Sequence, residues 1–403
     1  MPTPSLLIVP ARFKSGKLYS QIPTSGAGDF TVTRATNATR VNASGLIESV
    51  ASGIPRLDYF ASGGTVGCPA LLVEPSGSNL VQRSEEFENT YWSKANGAVT
   101  QNQTTAPDGL TTADKYVVTS GAAANSPIIR SFTFAINTTY TLSLFVKKAD
   151  YNTASIRLST TETGLITNSF NLASGTATNN QIQDYGNGWY RVWVSFTTAA
   201  TVTNGQVQLI RDAEVRDGVA GIFIWGAQLE TGSVATSYIP TTTAAVTRNA
   251  DVVLVSGAVS GSIGQLSGTI YAEVDVQTAF LGTILTIDDG DTSDFISITK
   301  NANLTIRARI RRTSGTITSI ITSAAVSVGT HKIALAYTNG DYALYIDGVS
   351  AGTSTNSTDY PATSLTQCVL SNANYGPLND RILDAALYTT RLSNAQLASL
   401  TSL

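Results

Sequence analysis

The 403-residue sequence contains one histidine, two cysteines and one methionine, and each scarcity closes off a class of chemistry. With His331 alone, a Ser-His-Asp or Cys-His centre has no second imidazole in reserve, and His331 is read as packing at the start of a core strand. Cys68 and Cys368 stand 300 residues apart and are read as two buried free thiols. Together with one histidine they cannot supply the four clustered ligands of a structural zinc site. Charge is also scarce, at 13% of residues against roughly 25% in ordinary soluble domains. The 25 basic and 28 acidic residues give a net charge of −3, so no global field draws in nucleic acid or an anionic membrane. The apolar run Leu6–Val9 falls far short of the roughly 20 residues that span a bilayer, and it carries neither a basic n-region nor a cleavage site. The chain is therefore expected to be soluble, made without a signal peptide and not inserted in a membrane.

Thr, Ser, Ala, Gly and Asn fill the space that charge leaves, and they suit half-buried strands and tight turns. Helical periodicity is nearly absent. The repeated signal is alternation over a few residues, bounded by Gly, Asn, Asp or Pro. In WYRVWVSF, residues Tyr190, Val192, Val194 and Phe196 share one face while Trp189, Arg191 and Trp193 share the other. Asp347-Gly348 after Tyr342–Ile346 favours a type I′ hairpin turn. Only the end of the chain reads as a helix, from Leu392, with Ser393 as its N-cap and leucines at 397 and 400. The expected fold class is all-β: two β-sandwich domains, the first a sandwich or jelly roll, behind a small N-terminal β or extended docking region. The boundaries are 1–80, 81–248 and 249–403. The Pro- and Thr-rich stretch Thr236–Val252 has the composition of a linker and sets the second boundary near Arg248.

Three stretches resemble phage virion proteins. VTRATNATRVNASGLIESVASGIPRLDY, continuing to CPALLVEPSGSNLVQRSEEFENTYW, resembles a block near the start of phage tail and head-appendage proteins. DYGNGWYRVWVSF with GIFIWGAQLETGSVATSYIPTTTAAVTR resembles the carbohydrate-binding-module-like jelly roll that follows that block. THKIALAYTNGDYALYIDGVSAG, ending in RILDAALYTTRLSNAQLASL, resembles the concanavalin A-like, laminin-G-like sandwich. The resemblance implies a structural component of a tailed-phage virion, without catalysis, that binds host-surface or environmental glycan. It also implies a homo-oligomer, a trimer being favoured, docked to other virion proteins through residues 1–80. A purely structural decoration or fibre subunit and a polysaccharide depolymerase are the alternatives, because this sandwich hosts lectins, enzymes and structural modules alike.

The candidate residues follow from what sugars and metals require. The apolar face of a pyranose stacks on aromatic rings while its hydroxyls seek polar side chains, which selects Tyr185, Trp189, Trp193 and Tyr375. Trp225 lies in an apolar run and reads as core. Arg307, Arg309 and Arg311 alternate with Ile306, Ala308 and Ile310, so a basic stripe backs an apolar face. That stripe is either solvated or a grip for acidic sugars or a partner's carboxylates. Asp288, Asp289 and Asp291, with Asp294, gather oxygen donors that could hold Ca²⁺ without matching an EF-hand loop; a polar hairpin turn is the alternative. Glu273 and Asp275 share a strand face. Laminarinase-type relatives of the sandwich carry a third alternating acid, where this sequence has Gln277, so these carboxylates are expected not to be catalytic.

Overall fold

The computed structural model describes residues 2–60, 67–94, 96–122, 126–160, 164–201, 204–313 and 315–403. They build an all-β architecture in which two sandwiches are nested along the chain. Thr305–Arg311 shows why strands form: its burial alternates residue by residue, because the pleat sends Ile306, Ala308 and Ile310 into a core and the arginines to the opposite face. Among the described residues no helix is long and apolar enough to cross a membrane.

The middle sandwich consists of two six-stranded antiparallel sheets. One orders Ser93–Lys94, Ile128–Thr133, Asn204–Arg211, Thr153–Thr160, Gly164–Asn171 and Thr176–Ala177; the other orders Gly97–Thr104, Ala113–Val118, Gly221–Thr231, Thr139–Lys148, Trp189–Thr197 and Ile182–Asp184. Val192, Val194 and Phe196 point between the sheets, into a core shared with Leu142, Leu144, Val207 and Leu209. Trp189 points the other way, into a second cluster with Phe145, Trp225 and Tyr238. A bulge opposite Ser143–Phe145 breaks the register of Gly221–Thr231. It falls at Gly226, whose φ of +63° puts a hypothetical Cβ 2.9 Å from the Phe145 ring, so the position is confined to glycine.

The second sandwich does not coincide with residues 249–403. Its nine-stranded sheet runs Phe13–Lys14, Lys17–Leu18, Phe30–Thr33, Val252–Ser256, Gln367–Ser371, Gly282–Asp288, Phe295–Lys300, Thr305–Arg311 and Thr318–Ala325. Its eight-stranded sheet runs Val349–Ser354, Asp341–Ile346, Gly329–Thr338, Ser267–Val276, Asp380–Tyr388, Ala70–Val73 and Leu57–Asp58, with Leu6–Ile8 also on Asp380–Tyr388. Leu6 pairs with Leu387, Val32 with Val253 and Leu72 with Arg381. The separate N-terminal region expected from the Gly- and Pro-rich texture is thus absent as a module: its short apolar strands are edges of the C-terminal sheets. The middle sandwich is an insertion into this host. Its neck is a ribbon in which Gly77–Asn79 pairs with Val246–Arg248, placing entry and exit side by side.

Local sequence signals reappear at the host's far end. Ile346 pairs with Val349 across Asp347 and Gly348, both at positive φ, as a type I′ turn demands. A helix spans Asn394–Thr401, where Ser393 and Gln396 close a capping box and Leu397 is buried. The thiols differ from expectation: Cys368 is buried in the host core, but Cys68 is exposed. Burial raises the Cys368 thiol far above its ordinary range. A disulfide-exchange reagent is therefore expected to titrate one thiol in the folded chain and two after denaturation. Two fast-reacting thiols under native conditions would contradict this burial.

Candidate functional site

The stretch with linker composition is pinned at both ends by buried side chains, Thr236, Tyr238, Ile239 and Thr241 at one end and Arg248 and Asp251 at the other, with residues 242–247 exposed between them. Arg34, Arg56 and Arg248 meet Glu74 and Asp251 in a dry cluster: Arg34 Nη1 lies 2.9 Å from Asp251, Arg56 Nη1 2.6 Å from Glu74, and Arg248 Nη1 2.8 Å from Glu74, while Arg56 also pairs with Asp251. Ser237 donates from its amide and its hydroxyl to Glu74, at 2.7 and 2.6 Å. Burial works to raise the Glu74 carboxyl, but the guanidiniums of Arg248 and Arg56 and the Ser237 hydroxyl hold it well below the usual carboxylate range. Tyr238 and Ile239 are buried alongside, with the Tyr238 hydroxyl donating to Glu85 at 2.8 Å. Polar and aromatic side chains spaced as in a linker thus find partners some 150–220 residues away in sequence.

This frame holds the two sandwiches against each other, and between them lies a cleft of ≈ 310 Å³. Three parts of the chain line it: the N-terminal block through Arg40 and Asp58, the insertion through Tyr185, Arg191 and Trp193, and the host through Gln277, Asn379 and Arg381. Tyr185 stands against the Phe60 and Phe145 rings, each 4.9 Å away, and the Arg381 guanidinium sits 4.8 Å from the Phe60 centroid. Tyr185 and Trp193 are half-buried and reach the cleft. Trp189 does not. It is 2% exposed and donates its indole N–H to the Thr105 carbonyl at 3.0 Å, so it belongs to the packing of the insertion. Trp225 is core, as its apolar run implies.

Every carboxylate in the cleft is engaged. Asp58 accepts from the Val41 and Phe60 amides and from Arg381. Asp380 pairs with Lys300 and accepts from the Gln277 and Thr278 amides, and Glu74 belongs to the charge cluster. Glu273 and Asp275 lie outside the cleft, on the outer face of Ser267–Val276. Asp275 is held by Gln277 at 2.6 Å and Arg381 at 3.6 Å. Glu273 lies directly across from Asp384, a neighbour no local pattern announces. Burial and the Glu273 charge push the Asp384 carboxyl up to about 6.

The acidic loop turns its carboxylates onto its own backbone. Asp288 accepts from Gly290, Asp289 from Asp291 and Asp294, and Asp291 from Ser293. Among the described residues no three His, Cys, Asp or Glu side chains converge as a metal site would require. Of the two readings of this loop, the geometry fits the turn: amides two residues on compete for the oxygens that a Ca²⁺ ion would need.

Residues 249–398 match the concanavalin A-like lectin/glucanases superfamily. No curated protein sequence matches the chain. Among solved structures the chain is similar to domain 4 of an extracellular arabinanase from Geobacillus stearothermophilus, at 16% identity and TM-score 0.32, covering 42% of this chain and 82% of that one. It is similar also to the CBM40 domain of the Ruminococcus gnavus IT-sialidase, at 16% identity and TM-score 0.31, covering 36% and 88%. A pentraxin from Limulus polyphemus matches at 13% identity and TM-score 0.28, covering 34% and 70%. These likenesses are partial and carry no functional conclusion.

Within the concanavalin A-like sandwich, Arg307, Arg309 and Arg311 lie half-buried on the outer face of the nine-stranded sheet. Tyr375 reaches the same face from the loop after Gln367–Ser371, its ring 5.4 Å from Phe295, with Arg309 5.8 Å from that ring on another side. These four residues are brought together as a patch, and none of them lines the Tyr185–Trp193 cleft.

Proposed function

We propose that the chain is a non-enzymatic, glycan-binding structural subunit of a phage virion, and that the cleft between its sandwiches is a sugar site. The observation that carries this reading is the pair of half-exposed aromatics, Tyr185 and Trp193, set among Asn180, Gln181, Gln183, Gln277 and Thr278. Rings flanked by amides and hydroxyls offer a pyranose both a stacking surface and partners for its hydroxyls. The absence of catalysis is supported by the cleft's carboxylates, all spent on cations and amides. Glycoside hydrolysis needs one carboxyl free to give a proton and another free to act as nucleophile or base. Placement in the virion and a trimeric state rest on the sequence resemblance of the N-terminal and middle blocks, with the particle's assembly in the host cytoplasm implied.

A glycan array probed with the full chain tests the binding. Binding to defined neutral glycans is expected, and Trp193→Ala should weaken it by roughly 30-fold, about 2 kcal/mol, as for a central aromatic anchor. An array without a hit, or a Trp193→Ala chain that binds like the parent, would remove the cleft from consideration. Release of reducing ends from host polysaccharide that Glu273→Gln abolishes would replace the binding module with a depolymerase. Particle mass spectrometry lacking this chain would sink the virion assignment.

A further inference from the structure

The outer face of the nine-stranded sheet carries a charge imbalance that the cleft does not use. Arg311 is tied down, donating to the Gly315 and Thr292 carbonyls. Its neighbours are not: among the described residues neither the Arg307 nor the Arg309 side chain has a hydrogen bond or an ion pair, and Arg307 Nε is buried without a partner. Burial and the adjacent Arg307 charge lower the Arg309 pKa, as expected of two cations held together without an anion.

Directly across the strands lies a set of orphaned hydroxyls. Arg309 pairs with Ser297, which pairs with Thr286, and Arg307 pairs with Thr299. Opposed residues in an antiparallel sheet share a face, so all five side chains project the same way. Thr286, Ser297 and Thr299 are no more than 1% exposed, and the hydroxyl of each lacks a hydrogen-bond partner. A buried polar atom left unpaired costs roughly 1–3 kcal/mol, and three in adjacent positions mark a surface built to be completed. Tyr375, half-buried against the Phe295 ring, supplies aromatic surface beside it. Asp288, beside Tyr375, is directed to the Gly290 amide and towards the Tyr375 hydroxyl, and it pairs with neither arginine.

We infer that this face is a second ligand site, distinct from the cleft, that binds the carboxylate of an acidic sugar between Arg307 and Arg309. Two side-by-side guanidiniums match a carboxylate's two oxygens. Drawing them outward onto that carboxylate uncovers Ser297, Thr299 and Thr286 for the sugar's own hydroxyls, and Tyr375 flanks the ring. A bare anion satisfies the arginines alone; a uronic acid satisfies the hydroxyls as well.

The full-length chain is titrated with glucuronic acid and, separately, with glucose, observed by saturation-transfer NMR. Glucuronate is expected to bind, with Arg307→Gln and Arg309→Gln each weakening it by about tenfold or more and leaving any glucose binding unchanged. Ser297→Ala should weaken glucuronate binding less, and Trp193→Ala should leave it unchanged. Arg309→Lys, which keeps the charge and loses the fork, covers the case in which a Gln variant fails to fold, and is expected to fall between parent and Arg309→Gln. The inference is overturned if both Gln variants keep the parent affinity for glucuronate, if they weaken glucose as much as glucuronate, or if free glutamate competes as effectively as glucuronate. The last outcome would assign the arginines to a protein carboxylate. Loss of glucuronate binding in Trp193→Ala would place the acid in the cleft and overturn the site as well, whereas a failed neutral-glycan array leaves it untouched.

Discussion

A chain that starts at residue 81 is expected to lose the concanavalin A-like sandwich altogether. The deleted residues include Leu6, Ile8, Leu18, Phe30, Val32, Leu57, Leu71 and Val73, all buried in the host core. At about 1.5–3 kcal/mol for each fully buried apolar side chain, their loss removes roughly 12 kcal/mol or more, against a typical net stability of about 5–15 kcal/mol. Cys368 reports the outcome, because deletion also removes Cys68 and leaves a single thiol, deep in that core. Rapid modification of Cys368 in the 81–403 chain, together with dye binding to exposed apolar surface, is the expected result. A protected Cys368 and a cooperative melt of the C-terminal strands would show that residues 6–73 are dispensable trimmings.

Glu74→Gln is expected to destabilise the chain by about 3–5 kcal/mol at neutral pH, as when one partner of a buried ion pair is removed. The substitution keeps the size but leaves Arg56 and Arg248, 0% and 1% exposed, with one buried carboxylate fewer between them. Chemical denaturation measures the change, and a loss under about 1 kcal/mol would mean that the cluster is not dry. The pH dependence has a definite sign. The folded-state pKa of Glu74 lies below its unfolded value of about 4.5, so its contribution is complete above that pH and is lost as the solution is acidified through and below it. The parent should therefore weaken more steeply than Glu74→Gln below about pH 4.5, and the two unfolding curves should converge.

What the sequence discloses depends on how far apart the interacting residues stand. The alternation of Thr305–Arg311, the Asp347-Gly348 turn and the Ser393–Gln396 cap are legible because every participant lies within a few positions of the others. The opposite faces of Trp189–Thr197 are legible for the same reason. That Trp189 is sealed from solvent is not, since its cover includes the Thr105 carbonyl and residues 41–47. Composition misled at Thr236–Val252: Thr, Pro and Ala read as linker, while Glu74, Asn79 and Glu85, which pin that stretch in place, lie in another block. The same distance hides Asp384 behind Glu273. Arg307, Arg309 and Tyr375 were each visible as residue types suited to sugars; their shared face, and the hydroxyls beneath the arginines, required the strand register.

The nested order of the two sandwiches also dictates when each can form during synthesis. Strand pairing in the insertion joins residues between 93 and 231, so that module has all its parts once the first 60% or so of the chain has emerged. The host cannot close then, because Leu6 waits for Leu387 and Leu72 for Arg381. Until Asp380–Tyr388 leaves the ribosome, Leu6–Ile8 and the side of Ala70–Val73 turned away from Leu57–Asp58 lack the strand they pair with, and exposed strand edges invite pairing with other nascent chains. The newly made protein thus passes through a stage with one finished domain and one open, adhesive half-sheet, which closes only once Asp380–Tyr388 has emerged.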